Sequence, residues 1–247
     1  MSRRGRFFVL AVGLGCLVAL LSLAILRMPA FGTSHHPYRG PAVAGAVRHG
    51  ISNVVSAVNF DERAMDTFGE EAILMGSVVG VFALLRREHD ERERRPRGGQ
   101  VLESTKMAGY VLLAVTAILG VDVVVHGHVT PGGGFQGGVI LASGLYLLYV
   151  AGRYASLERI RPGPFYEFGE GFGGAAFGGL GVAGIGVAGS FLANVLPRGN
   201  FAHLLSAGSV PLLSFAVGVE VACGTIILLS RFLMQTVALE KQREPEK

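Results

Sequence analysis

Apolar residues run without a charge from Phe7 to Leu26, and five further stretches follow at Thr67–Leu85, Met107–Val125, Phe135–Ala151, Gly169–Leu192 and Ser209–Leu229. A bilayer core about 30 Å thick is crossed by roughly 20 residues of helix. The pattern therefore predicts an all-α integral membrane protein with six transmembrane helices. "TFGE" at Thr67–Glu70 reads as a capping box that starts the second span. Pro211 is compatible with the first turn of the last span, where amides lack intrahelical partners. Val43, Val47, Ile51, Val54, Val55 and Val58 recur at helical spacing among Arg48, His49, Asn53 and Asn59. That predicts an amphipathic or re-entrant helix near residues 42–60. A seventh span there is the alternative, and it would reverse the N-terminus.

Charge orients the six-span reading. Arg3, Arg4 and Arg6, the basic residues from Arg86 to Lys106, Arg153, Arg159 and Arg161, and Arg231, Lys241, Arg243 and Lys247 all fall on the side of the termini. Only Arg27, Arg39, Arg48, Arg63 and Arg198 fall on the other. The positive-inside rule predicts that both ends are cytoplasmic. The run "RREHDERERRPRGGQ" reads as a solvated cytoplasmic linker. It divides the chain into a two-span element at 1–86, a linker at 87–101 and a four-span domain at 102–247.

Composition agrees with a multi-span membrane protein. Half of the 247 residues are hydrophobic, 16% are charged and none is tryptophan, with a mean hydropathy of +0.48. The net charge of +4 comes from residues beside apolar runs, with no basic stripe interleaved with aromatics, so nucleic acid is not an expected partner. Cys16 and Cys223 lie far apart inside apolar runs, which points to buried thiols rather than a disulfide or zinc site. "GLGC" faintly resembles a lipoprotein cleavage box, but the apolar run continues to Leu26, so a retained anchor is expected.

The stretch "VDVVVHGHVTPGGGFQGGVILAS" poses the chemical question. Its GxGxxG at Gly132, Gly134 and Gly137 would need a βαβ setting to bind a dinucleotide, and a second copy at Gly179, Gly181 and Gly184 lies in an apolar helix. A tight inter-span turn accounts for it better: Pro131 redirects the chain, Gly132, Gly133 and Gly134 reach backbone angles closed to other residues, and Gly137 and Gly138 allow close helix approach. Gly169/Gly173 and Gly174/Gly178 form GxxxG pairs suited to packing in lipid. His126 and His128 lack a third ligand nearby, so no metal site is predicted; imidazole near neutrality could instead relay protons. Glu220 lies near the middle of the last span and Asp122 in the last turn or so of the third. A charged group at mid-bilayer costs about 2.5–3.5 kcal/mol and usually faces a cavity or a partner. Glu71, Glu167 and Glu170 read as helix-start charges facing headgroups, and Glu70 as a cap. No GxSxG, HExxH or Ser/His/Asp arrangement suggests an enzyme, and no cysteine pattern suggests an iron–sulfur cluster.

"HGHVTPGGGFQGGVILASGLYLLY" resembles the signature of the MnhB/MrpB family, the B-type subunits of Mrp-type multisubunit Na+(cation)/H+ antiporters, with His126 where that pattern often has Asn. The resemblance covers about Leu102–Leu239. "DERAMDTFGE" at Asp61–Glu70 is similar to the C-terminal part of the A-type antiporter subunit, which in membrane-bound hydrogenases is a separate E-type subunit. The chain thus looks like a fusion of two neighbouring subunits. The resemblance implies a non-catalytic subunit without a cofactor. Its partners would be the large antiporter-like and small membrane subunits, and its cargo protons and a monovalent cation, Na+ first. It carries over His128 and the motif Pro131, Gly132, Gly133, Gly134, Phe135, Gly137 and Gly138 from the MnhB/MrpB signature, and Asp66 and Glu70 from the E-type element. With Asp122 and Glu220, which rest on depth in the membrane, these acids and His128 are the ion-path candidates. A structural or ion-path subunit of a respiratory or hydrogenase-type complex sharing the module is the alternative.

Overall fold

Helices account for every regular element among the residues that the computed structural model describes, which are 3–28, 36–85, 102–151 and 163–243. In chain order they are α1 (Arg3–Leu26), α2 (Arg39–Arg48), α3 (Val54–Ala57) running into a π-turn (Val58–Glu62), α4 (Ala64–Leu84), α5 (Glu103–Val125), α6 (Gly134–Val150), α7 (Gly163–Ala188) and α8 (Val210–Arg243). Five carry apolar stretches long enough to cross a membrane, and α6 is a shorter apolar helix. The protein is a multi-pass all-α membrane protein. The charged run at 86–100 and Arg153, Arg159 and Arg161 lie outside the described residues.

The chain divides into two compact units, residues 1–40 and 41–247. The first holds α1, whose apolar stretch Phe7–Leu26 has no buried residue. Cys16, expected to be buried, is therefore exposed on α1, whereas Cys223 is buried. An apolar helix gains its burial from lipid or from neighbours, and α1 packs no core of its own.

The second unit is organised around α8, which packs against α4, α5, α6, α7 and the π-turn. Its apolar stretch is 61% buried, against 17–22% for α4, α5 and α7. Sequence explains this centrality. Ser214, Gly218 and Ala222 place small residues one turn apart on α8, opposite Gly134 and Gly138 of α6. A Cβ on Gly134 would lie 2.1 Å from the Ser214 carbonyl oxygen, and one on Gly138 would lie 2.8 Å from that of Gly218. Gly137 turns instead to α5, where a Cβ would stand 2.7 Å from the Gly120 carbonyl oxygen. Lipid tails are as apolar as leucine, so helices in a membrane associate through such close approach.

α7 uses its two GxxxG pairs on two neighbours. Gly169 and Gly173 face α8, against Cys223, Ala216 and Glu220, while Gly174 and Gly178 face Met75 and Phe68 of α4. At the end nearest the α7–α8 connection, Phe68 stacks on Phe177 at 5.9 Å and meets Phe191 edge-on at 5.5 Å, with Phe60 against Phe177 at 6.5 Å. At the other end, Val78, Tyr166, Cys223 and Ile227 form a second buried cluster.

Two sequence expectations need correction. Helix α4 begins at Ala64 rather than at a Thr67–Glu70 capping box. Thr67 is already inside the first turn, and its hydroxyl donates to the Asn59 carbonyl at 2.7 Å. A hydroxyl committed to that carbonyl is not free to cap a helix start. Residues 42–60 do not form one continuous helix. α2 stops at Arg48, Gly50 turns with φ +73°, and Asn53 opens α3.

Candidate functional site

Three carboxylates meet between the two clusters. Glu71 comes from α4, Glu170 from α7 and Glu220 from α8, with exposures of 3%, 7% and 0%. Glu220 lies within electrostatic reach of both Glu71 and Glu170. The glycines make the room. A Cβ at Gly174 of α7 would stand 3.3 Å from Glu220 Oε2, and one at Gly224 of α8 would stand 3.7 Å from Glu170 Oε1. Glu220 and Glu170 therefore each sit over a glycine of the facing helix, one turn from the other acid. Among the described residues, Glu71 Oε2, Glu170 Oε1 and both oxygens of Glu220 have no hydrogen-bond partner. Buried polar groups are nearly always paired, and an unpaired buried charge is costly.

Glu71 and Glu170 correct the headgroup reading. Helix periodicity carried the missed signal: Glu71 shares a face with Leu74, Met75 and Val78, and Glu170 shares one with Gly173, Gly174 and Phe177, the residues that pack α7 inward. Glu167 is exposed, as expected of a helix-start charge.

The second feature is the turn between α5 and α6. Gly132 and Gly133 adopt φ +142° and +143°, as the glycine run predicts, whereas Gly134, expected to do the same, is already helical and needs glycine for its close approach to α8. The residues just before α3 grip this turn. Asn53 Nδ2 donates to the Gly127 carbonyl at 2.7 Å and the Thr130 carbonyl at 2.9 Å. The Asn53 amide donates to the His128 carbonyl at 3.1 Å, and the Ser52 hydroxyl to that of Val129 at 2.9 Å. Ser214 of α8 donates to the Val124 carbonyl at 3.2 Å. His128 is buried beneath, and its Nε2 donates to the Leu204 carbonyl at 3.0 Å.

That bond fixes the neutral tautomer and leaves Nδ1 without a partner among the described residues. Burial holds the His128 imidazole below its ordinary value of 6.5; carbonyl bonds to Leu204 and His203 oppose this and His126 adds to it. A histidine that charges more readily when unfolded destabilises the fold as pH falls. Stability supported by neutral His128 is thus full above 6.5 and lost as pH drops below it. Melting curves of the detergent-solubilised protein between pH 5 and 7.5 are expected to show an acid limb that His128→Gln flattens. An unchanged limb in that variant would assign the acid sensitivity elsewhere.

The remaining candidates do not join the three-carboxylate cluster. Glu70 is exposed on α4, Asp66 is exposed and pairs with Arg63, and Asp122 is exposed near the end of α5 and pairs with His126 at 2.9 Å. Within the motif, Gly134, Gly137 and Gly138 are buried in helix contacts, whereas Pro131 and Phe135 face outward.

Comparison with known proteins places these features in a family. Residues 104–227 match the domain related to the MnhB subunit of Na+/H+ antiporters, and residues 2–98 match MbhE, the E-type subunit of MBH. An uncharacterized protein of Methanocaldococcus jannaschii is 29% identical over 79% of this chain and 82% of its own length. A probable K+/H+ antiporter A/B subunit of Rhizobium meliloti is 29% identical over 66% of this chain, of whose length the match spans only 18%. Among solved structures, a chain of the archaeal membrane-bound sulfane sulfur reductase superposes with TM-score 0.70 at 24% identity, covering 92% of this chain and 98% of that one. A chain of the Mrp complex of a Dietzia species superposes with TM-score 0.68 at 22% identity, covering 94% of this chain and 26% of that one. These two likenesses establish the shared fold. With the glycine-seamed α5–α6–α8 packing lying inside the matched segment, the chain belongs to the MnhB-related family of antiporter-subunit domains.

Proposed function

We propose that this chain is a non-catalytic subunit of a multisubunit complex of the cytoplasmic membrane that exchanges a monovalent cation for protons, with both of its ends in the cytoplasm. The observation that carries this reading is Glu220, fully buried in the middle of the central helix without a hydrogen-bond partner among the described residues. Intramembrane acids of this kind are rare and serve ion pathways far more often than packing. The family match supports the same reading. Residues 1–86 would supply the E-type element, 87–101 a linker and 102–247 the MnhB-like domain, fused so that the Asn53 clamp is intramolecular. Larger antiporter-like subunits would cover the outward Pro131 and Phe135.

A second reading has one specific support, the near full-length likeness to a chain of a respiratory sulfane sulfur reductase. In that setting electron transfer in partner subunits would drive the ion movement. One experiment tests both. Everted vesicles from cells with and without the chain are energised by ATP, and collapse of the proton gradient is followed on adding Na+, K+ or Li+. Chain-dependent collapse without an electron donor is the expected result. Ion movement only when a donor for partner subunits is supplied would favour the respiratory reading, and no chain-dependent movement under either condition would defeat both.

A further inference from the structure

We propose that Glu71, Glu170 and Glu220 form one intramembrane site that binds a monovalent metal cation through their carboxylate oxygens and exchanges it for a proton. The proposal rests on the reading above and specifies where in this chain the ion is held. Glu220 of α8 stands between Glu170 of α7, each over the glycine one turn from the other, and Glu71 of α4, within its electrostatic reach. All three are more than nine-tenths buried, with four oxygens unpartnered among the described residues. None of the described ion pairs, His49–Asp61, Arg63–Asp66, Lys106–Glu103 and His126–Asp122, engages them. Among the described residues, the other titratable groups on α4, α7 and α8 near these acids include Glu70, Glu167, Tyr166 and Cys223, and on α5 and α6 Asp122 and Tyr146; none of them supplies a positive charge. Arg231 lies further along α8, over the Phe82 ring at 3.8 Å.

A buried cluster of carboxylates needs positive charge from somewhere, and a cation or bound protons are the two sources open to it. Hard oxygen ligands suit hard cations in general, the monovalent exchange proposed above selects alkali ions among them, and Mg2+ sheds its water reluctantly and would need a wetter site. The cluster is closed on one side by Phe60, Phe68 and Phe177 and on the other by Val78, Cys223 and Ile227, which suits an ion stripped of its water. One cation entering as one proton leaves keeps the charge of the cluster constant. Glu71 lies in the segment matched to MbhE and the other two in the MnhB-related segment, so the site exists only where the two are packed together.

The test uses the full chain in lipid nanodiscs and dicyclohexylcarbodiimide, a lipid-soluble reagent that modifies protonated intramembrane carboxyls, with modified residues mapped by mass spectrometry. Labelling is expected within this trio. Na+, Li+ or K+ is expected to slow it by about tenfold once the cation stands at about ten times its dissociation constant, and choline at equal ionic strength is expected not to. Glu71→Gln and Glu170→Gln are expected to weaken cation protection of Glu220 while leaving Glu220 reactive. Absence of labelling at all three, labelling indifferent to these cations, or protection by Mg2+ alone would overturn the site. Because the wild-type chain suffices for the protection measurement, a variant that fails to fold does not remove the test. Cation protection without vesicle transport would sink the antiport reading and keep the site; transport without protection would do the reverse.

Discussion

Gly134→Val is expected to leave no folded protein in detergent, whereas Gly179→Ala is expected to be neutral or slightly stabilising. Both are glycines of apolar helices, and what lies opposite them makes the difference. At Gly134 the first added carbon would stand 2.1 Å from the Ser214 carbonyl oxygen and 2.8 Å from the Gly218 amide nitrogen, whereas at Gly179 nothing lies within 4 Å. Overpacking against movable side chains costs typically 1–3 kcal/mol. Here the wall is the backbone of α8, so α6 must separate from the helix that organises the core. The cost then approaches a whole domain stability of about 5–15 kcal/mol. At Gly179, alanine removes the entropic penalty of glycine in a helix, about 0.5–1 kcal/mol. Size-exclusion profiles and melting temperatures of the purified variants would show this; a Gly134→Val protein eluting and melting like wild type would refute the close-packed seam.

The same geometry explains how much of the fold could be read from residues alone. The spans announce themselves through length and hydropathy, and five helices of spanning length with a shorter α6 lie where the apolar runs are. The glycine motif was legible as a turn because Gly132 and Gly133 need positive φ whatever surrounds them. What periodicity could not supply was tertiary. Thr67 and Glu70 have the spelling of a capping box, but whether a hydroxyl caps a helix or pairs with a π-turn carbonyl depends on a local backbone choice that the spelling leaves open. Residues 42–60 carry a helical pattern, yet Gly50 and Asn53 break it because Asn53 is needed by a loop 74 to 77 residues away.

The candidate site was legible in part for a related reason. Glu220 sits in the middle of an apolar run, so depth alone marks it. Glu71 and Glu170 sit nearer helix starts, where an acid usually reaches solvent or headgroups, and it is the periodicity of their helix faces, shared with Met75 and Val78 and with Gly173 and Phe177, that marks them as turned inward. Asp122 shows the converse: depth along the helix suggested a role, and rotation about it leaves its side chain exposed on this chain.

Asn53 yields the second large effect, because one side chain does two jobs with opposite chemistry. Its Oδ1 caps α3 by accepting from the amides of Val55 at 3.1 Å and Ser56 at 3.4 Å, while its Nδ2 donates to two carbonyls of the α5–α6 turn. Asn53→Ala removes a cap worth about 0.5–2 kcal/mol and two hydrogen bonds worth about 1 kcal/mol each, roughly 3 kcal/mol together. Asn53→Asp keeps the cap, and on capping grounds alone it should be nearly silent. It also points an oxygen at the Gly127 and Thr130 carbonyls in place of a donor. If the grip on the turn matters, aspartate is expected to melt below alanine at pH 7.5. Protonating the introduced carboxyl restores one donor, so the aspartate deficit relative to alanine is expected to shrink as pH falls toward 4, opposite in sign to the acid limb set by His128. Melting the two variants side by side across that range separates the terms, since every other titrating group is common to both. An aspartate variant as stable as wild type at pH 7.5 would mean that Asn53 serves only as a cap, and that the hold of the N-terminal segment on the glycine turn contributes nothing to the fold.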